Sequence, residues 1–378
     1  MPHFDGKTFN EKAFGKYMET VPKERLNLLI KSKIFKSNEN IRNTFSSQTG
    51  TAYANIPMFG RLKGKPANYD GVTAYGDAKK LNTYDQGVVV IGRKDKFAES
   101  DFSYDITSGV DFMSQVGSQL ADYWDTANED TLISIVKGLY ACSQVFANAH
   151  TSEVQEVTET TLNSALQKAC GDRKQKFGLA IMHSAKATEL ENKKVLNFLK
   201  YTDPNGIEVE LKLAQWNGKL VLVDDEITTI STDSYALTED STFQEGKTYY
   251  TKSGDVYTEA TVTAGESVTA NTYYEKTTKT DYVTYAFGEG SFDYEDIGAR
   301  VPYEMKRDAD GDQDLLYSRE RIVISPYGFS YKKAVQTTLS PTDEELANGA
   351  NWELVKDGSG NPINHKEIAI ARIISPMA

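Results

Sequence analysis

The sequence predicts an α+β fold with long limbs, and three observations point to it. Apolar residues recur at three- and four-residue steps across 108–148, short extended pieces broken by glycines fill 52–103, and strand and helix patterns alternate over 157–232. A compositional change at 233–280 adds a small all-β insertion to this scheme.

The stretch 108–148 organises the rest. Met113, Val116, Leu120, Trp124 and Ala127, then Leu132, Ile135, Val136, Leu139, Cys142 and Phe146, mark one apolar stripe. It reads as one very long helix or two nearly collinear ones. At about 1.5 Å per residue it would span roughly 60 Å and bridge several other parts. Ser108 suits the N-cap, with Asp111 as an acidic first-turn residue, and Thr126–Asp130 offers a fresh cap where the rod can break.

Residues 1–50 form an arm. Phe14, Met18, Leu26, Leu29 and Ile30 are its apolar positions, Pro22 divides its helical run, and such an arm is expected to dock on a neighbouring subunit. Residues 52–103 read as a long two-stranded arm, punctuated by Gly60, Gly64, Pro66, Gly71 and Gly76, with GVVVI at 87–91 as its clearest strand. An isolated hairpin is marginal in water. Ile56, Met58 and Phe59 are therefore expected to be buried only on assembly.

Within 157–232 a helix carries Leu162, Ala165, Leu166 and Ala169 behind Thr158 or Thr160 as cap. A buried strand follows at 177–184, a helix at 185–201, and a hairpin turning at Asn217-Gly218. In 233–280 the triplet Thr-Tyr-Tyr occurs at 248–250 and again at 272–274. The runs on either side, VLVDDEI and DYVTYAFGEG, read as neighbouring strands from which the insertion protrudes. Its tyrosines suit cross-strand pairing better than sugar stacking. Further on, 300–333 reads as two extended runs about a polar turn.

Several function classes are disfavoured. The 378 residues are 39% hydrophobic, enough for real cores, and no run reaches the roughly 18 apolar residues of a membrane span. The N-terminal residues lack a signal peptide's apolar core, so synthesis in the cytoplasm is expected. Cys142 and Cys170 read as buried thiols. His3, His150, His183 and His365 show no metal-pair spacing, and His183, though it ends a strand, has no visible partner. Asp308, Asp310, Asp312 and Asp314 alternate as calcium ligands do, but their glycine is the fourth residue of the run where an EF-hand has it sixth, which favours a solvated turn. No GxSxG, Walker or Rossmann pattern occurs, so no enzyme and no catalytic, cofactor-binding or metal-binding residue is expected. The net charge of -12 disfavours a nucleic-acid reader, though it does not exclude enclosing DNA without gripping it.

Three runs carry a family resemblance: DFMSQVGSQLADYWDTANEDTLISIVKGLYA, with Trp124 and Gly138; ISPYGFSYKK at 324–333; and SPTDEELANGANWELV at 340–355, followed by KEIAIARIIS. With the order of segments they resemble the major capsid proteins of tailed bacteriophages, the fold named after phage Hong Kong ninety-seven. The resemblance implies an N-terminal arm (1–50), an extended loop (51–103), a peripheral domain with the spine helix (104–156), an axial domain (157–232), an inserted β domain (233–280), the axial return (281–299), and peripheral strands with the C-terminal segment (300–378). It implies a homo-oligomer of pentamers and hexamers in an icosahedral virion shell around double-stranded DNA, assembled in the host cytoplasm. Portal and scaffolding proteins, and a decoration protein, are the partners it suggests; no membrane is involved. Lys63 and Lys65 lie in the loop where some relatives form Lys–Asn crosslinks, but no acceptor is recognisable here. An encapsulin-like compartment holding an enzyme cargo is the alternative within the same fold.

Overall fold

A computed structural model describes residues 11–20, 24–46, 52–60, 62, 64–72, 78, 81, 83–100, 112–202, 208–254, 256–311 and 313–376. In chain order it contains α1 (Glu11–Thr20), α2 (Glu24–Lys31), β1 (Phe35–Lys36), α3 (Glu39–Ser46), β2 (Tyr53–Phe59), β3 (Thr83–Val89) and β4 (Ile91–Ser100). The long helix α4 (Phe112–Cys142), α5 (Gln144–His150), β5 (Thr151–Glu153), α6 (Thr161–Cys170), β6 (Phe177–Met182) and α7 (Ser184–Asn192) follow. Then come β7 (Asn197–Thr202), β8 (Glu208–Trp216), β9 (Lys219–Val223), β10 (Thr229–Leu237), β11 (Tyr249–Ser253), β12 (Val256–Ala260) and β13 (Tyr273–Gly288). The last elements are β14 (Phe292–Asp296), β15 (Tyr303–Asp308), β16 (Gln313–Pro326), β17 (Phe329–Tyr331), α8 (Asp343–Ala347), β18 (Trp352–Leu354) and β19 (Ile370–Pro376). This is the α+β class expected. The chain divides into two compact units, one of Met1–Thr151, Asn163–Ala180 and Ala286–Ala371, the other of Ser152–Leu162, Ile181–Tyr285 and Arg372–Ala378.

In the first unit, α4 lies against a sheet in the order β1-β14-β16-β15, with β4 also paired to β16. At 31 residues, α4 runs roughly 46 Å. It does not break at Thr126–Asp130. Polar side chains in and beside this stretch are drawn into contacts with other elements: Asp125 Oδ1 accepts from the Leu26 amide (2.9 Å), Asn128 Nδ2 donates to Glu320 Oε2 (3.1 Å), and Thr131 Oγ1 donates to Asp343 Oδ1 (3.2 Å). The break comes instead at Ser143, whose hydroxyl caps α5 by accepting from the Phe146 amide. Ser108 and Asp111 lie outside the described residues.

The C-terminal segment closes on α4 at a glycine seam. Thr342 and Glu345 form a capping box that starts α8, and Trp352 Nε1 donates to the Leu346 carbonyl (2.8 Å). A Cβ on Gly138 would stand 2.6 Å from Trp352 Nε1 and nearer still to the Leu346 carbonyl oxygen. A Cβ on Gly349 would stand 2.6 Å from the Ala141 carbonyl oxygen. Only residues without side chains permit this approach.

The N-terminal helices correct one expectation. Phe14 and Met18 are buried against Leu120, Ala121, Trp124 and Leu316 of their own chain, and Trp124 Nε1 donates to Ser318 Oγ (2.8 Å). Helix α3 is held by Glu295, a buried carboxylate that accepts from Ser37 Oγ, from the Asn38 amide (2.6 Å) and from Arg42 Nε (2.9 Å). Of the five apolar arm positions, Phe14, Met18, Leu26 and Leu29 are buried within one subunit, so no neighbour is needed to bury them, and Ile30 alone is exposed.

The extended loop is corrected in the same way. β2 and β3 pair in antiparallel register from Tyr53↔Val89 to Phe59↔Thr83, but β4 leaves them and pairs with β16 from Ile91↔Ile322 to Ser100↔Gln313. The run Val88–Ile91 is apolar at every position and wholly buried, which suits a strand covered on both faces rather than a two-sided arm. Ile56 is buried with Ile41, Phe45, Val88, Val90 and Val323 of its own chain. Of the three residues expected to await a partner, Phe59 alone is exposed and Met58 is half-buried.

The second unit contains most of a sheet ordered β12-β11-β13-β6-β9-β8-β7, with β10 also on β13. Asn217 (φ 50) and Gly218 (φ 76) turn β8 into β9, both left-handed as a type I′ hairpin requires. The helix expected at 185–201 ends at Asn192: Lys194 turns at φ 58, and the remainder becomes β7. β9 and β13 are not neighbours, because β6 lies between them. The insertion instead grows from β10 and β13, paired from Thr229↔Tyr282 to Leu237↔Tyr274. β13 passes without interruption from its pairing with β10 and β11 to its pairing with β6.

Candidate functional site

The first unit exposes several large apolar side chains at the end of β2 and just beyond it. Phe59 is 61%, Leu62 68%, Tyr69 93% and Val72 91% exposed. The base of this segment is strapped down: Gln86 Nε2 donates to Ser325 Oγ (2.9 Å) and to the carbonyls of Pro326 (2.8 Å) and Phe329 (3.0 Å), and the Gly87 amide donates to Ser330 Oγ (2.8 Å). A rigid root thus carries a tip whose large apolar side chains have no cover. Beside it runs a groove of about 610 Å³ between β2 residues 56–59 and the polar side chains of Lys36, Asn38, Glu289 and Asp293. Burial raises the Asp293 carboxyl above the ordinary range, offset by the Asn38 amide, whose Nδ2 lies at 2.7 Å. An apolar tip and a mixed groove suit protein segments rather than a small-molecule reaction.

The residues weighed for chemistry are taken up by structure. His183 is the N-cap of α7: Nδ1 accepts from the Ala185 amide (3.1 Å), and the ring packs against Tyr282. Burial pushes the Cys142 and Cys170 thiols up to about 11. Asp308 accepts from Gln313 Nε2 (3.0 Å) and closes the β15–β16 turn, while Asp314 is buried near Arg307 (3.6 Å). Asp312 and Lys63 lie outside the described residues, and Lys65 is exposed. Among the described residues no three His, Cys, Asp or Glu side chains gather as a metal site.

The Thr-Tyr-Tyr repeat splits by strand alternation. Tyr249 and Tyr273 each meet Phe243 (4.9 and 5.0 Å between centroids), while Tyr235 stacks on Tyr257 (3.9 Å, 3°) with Tyr250 and Tyr274 edge-on to these two. The rings spend their faces on one another, as cross-strand pairing predicts.

Sequence spacing missed one pair. His150 and His365, 215 positions apart, meet with Nε2 and Nδ1 3.2 Å apart, while His150 Nδ1 lies 2.6 Å from the Ile370 carbonyl oxygen. No local signal could reveal a contact made by topology.

No family model matches the chain. It is similar to the major capsid protein of Bacillus phage SPP1, 24% identical over 283 residues, 74% of this chain and 72% of that protein. Solved structures with related form include the head of Helicobacter pylori bacteriophage KHP40 (11% identical, TM-score 0.48, 88% of this chain and 86% of that one) and the cyanophage Pam1 capsid asymmetric unit (11%, TM-score 0.47, 100% and 96%).

Proposed function

We infer that this chain is the major capsid protein of a tailed bacteriophage, a structural subunit of which many copies build the shell. The observation that carries this is the similarity to a phage major capsid protein along nearly three-quarters of both chains. Supporting it, the exposed side chains of Phe59, Leu62, Tyr69 and Val72 are surface that a lone molecule leaves wet and a neighbour can cover. On this reading the copies form pentamers and hexamers around double-stranded DNA, with portal and scaffolding proteins as assembly partners and the tyrosine-rich insertion facing outward, where a decoration protein can bind. The segment assignment into arm, loop, peripheral and axial domains belongs to the same reading. The compartment alternative is not favoured, since the relative named above is a phage capsid protein.

The test is expression of the full chain with its scaffold and portal, followed by sedimentation and electron microscopy. Closed particles or capsomers are expected. A monomer under all these conditions would sink the proposal, and an enzyme cargo in purified particles would replace it with the compartment.

A further inference from the structure

We propose that the sheet of the first unit carries a cationic pocket that receives the acidic β15–β16 turn of a second copy. This rests on the capsid reading and adds a specific head-to-tail contact to it.

The pocket follows from strand alternation. On β16 the buried Leu316 and Ser318 face α4, so Arg319 and Arg321 face the other way, with Gly92 and Lys94 of β4 beside them in register (Arg319↔Lys94, Arg321↔Gly92). Lys94 therefore stands opposite Arg319, an arrangement that destabilises a sheet. Arg300 joins them from the loop before β15, around an open concavity of about 600 Å³ whose lining also includes Glu304 and Glu320. Arg319 is engaged by Glu304 (2.8 Å) and Arg93 by Asp343 (2.7 Å). Among the described residues, Lys94, Arg300 and Arg321 make no side-chain ion pair or hydrogen bond. A chain of net charge -12 thus keeps three uncompensated cations around one concavity.

The occupant is argued from charge and reach. The β15–β16 turn presents the exposed Asp310 and also Asp308, whose carboxyl is held below the usual range by its bonds to Gln313 and the Gly311 amide. Gln313 to Arg321 along one strand is roughly 27 Å at about 3.4 Å per residue, so a molecule cannot place its own turn in its own pocket. A second copy can. Because the β15–β16 turn and the pocket are different surfaces, the contact is heterologous and propagates until symmetry closes it. Packaged DNA fits less well: Glu304 also lines the pocket and would face a dense array of phosphates, whereas a two-carboxylate turn can avoid it.

The test uses full-length protein with scaffold in three forms: Arg300→Glu with Arg321→Glu, Asp308→Lys with Asp310→Lys, and all four together. Each pair alone is expected to lower particle yield by about tenfold at moderate salt, and the combination to restore most of it. Equal yields in all three would overturn the contact, as would normal particles that merely lose DNA. A wild-type chain that never assembles would instead overturn the capsid reading together with the contact. If a reversed pair fails to fold, as judged by thermal melting, Arg300→Gln with Arg321→Gln replaces it. That variant should weaken the salt dependence of assembly, and an unchanged salt dependence would count against the contact.

Discussion

Gly138 lies directly under Trp352, so close that the indole Nε1 would be 2.6 Å from any Cβ at that position. In an ordinary helix Gly→Ala is stabilising by about 1 kcal/mol. Here Gly138→Ala is expected to destabilise by about 3 kcal/mol or more, because the added carbon meets both the indole and a backbone carbonyl that α8 holds in place. Urea unfolding of the unassembled chain checks it; a rise in stability would show that the seam can open freely.

The histidine pair predicts an acid response. His150 is buried, stacked on Phe146, and burial depresses its pKa to about 4; His365 is lowered as well. The neutral ring donates from Nδ1 to the Ile370 carbonyl, leaving Nε2 to accept from His365 Nδ1. Between the unfolded value near 6.5 and the folded value near 4, the unfolded chain binds the extra proton, so stability falls as pH drops through this window and levels off below it. For His150 the loss amounts to about 3 kcal/mol. The pH dependence of the melting temperature measures this, and His150→Gln should flatten it.

Glu295 holds the N-terminal helices through three donors on residues 37–42. Glu295→Gln keeps the shape but removes the charge and one acceptor, and about 2 kcal/mol is expected to be lost. Hydrogen exchange should show faster opening of α3 with little change in α4. Uniform destabilisation of both helices would contradict so local a role.

The insertion is separable only if the cut respects β13. Replacing 239–272 by an Asn-Gly turn joins Thr238 to Tyr273, already bonded across the strands (3.0 Å) next to the Leu237↔Tyr274 pair, and should leave melting of the remainder almost unchanged. Deleting 233–280 removes half of β13 and should unfold the sheet.

Much of this was legible in the residues, and the exceptions share one cause. The stripe of α4, the Asn217-Gly218 hairpin, the buried β6 and the Thr-Tyr-Tyr strands are local patterns, and local geometry obeyed them. The partners were not legible. Thr126–Asp130 reads as a fresh cap, and nothing local shows that Asp125 beside it takes the Leu26 amide from 99 positions away; Val88–Ile91 reads as part of an arm until β16 takes β4. The apolar tip could be read as residues without a core, but Ile56 could not be told from Phe59: strand alternation allows that one faces inward, and only the packed structure says which.

The turns at the far end of the insertion are made by Gly254 (φ 62) and Gly265 (φ 87), and a Cβ at either would meet nothing within 4 Å. The second turn is tied to the aromatic cluster, since the Gly265 amide donates to the Phe243 carbonyl (2.9 Å) and the Phe243 amide to the Glu266 carbonyl (2.9 Å), whereas the β11–β12 turn at Gly254 has open space around it. A peptide spliced at Gly254 would leave those bonds intact, and on the capsid reading every subunit of a shell would carry one copy of it.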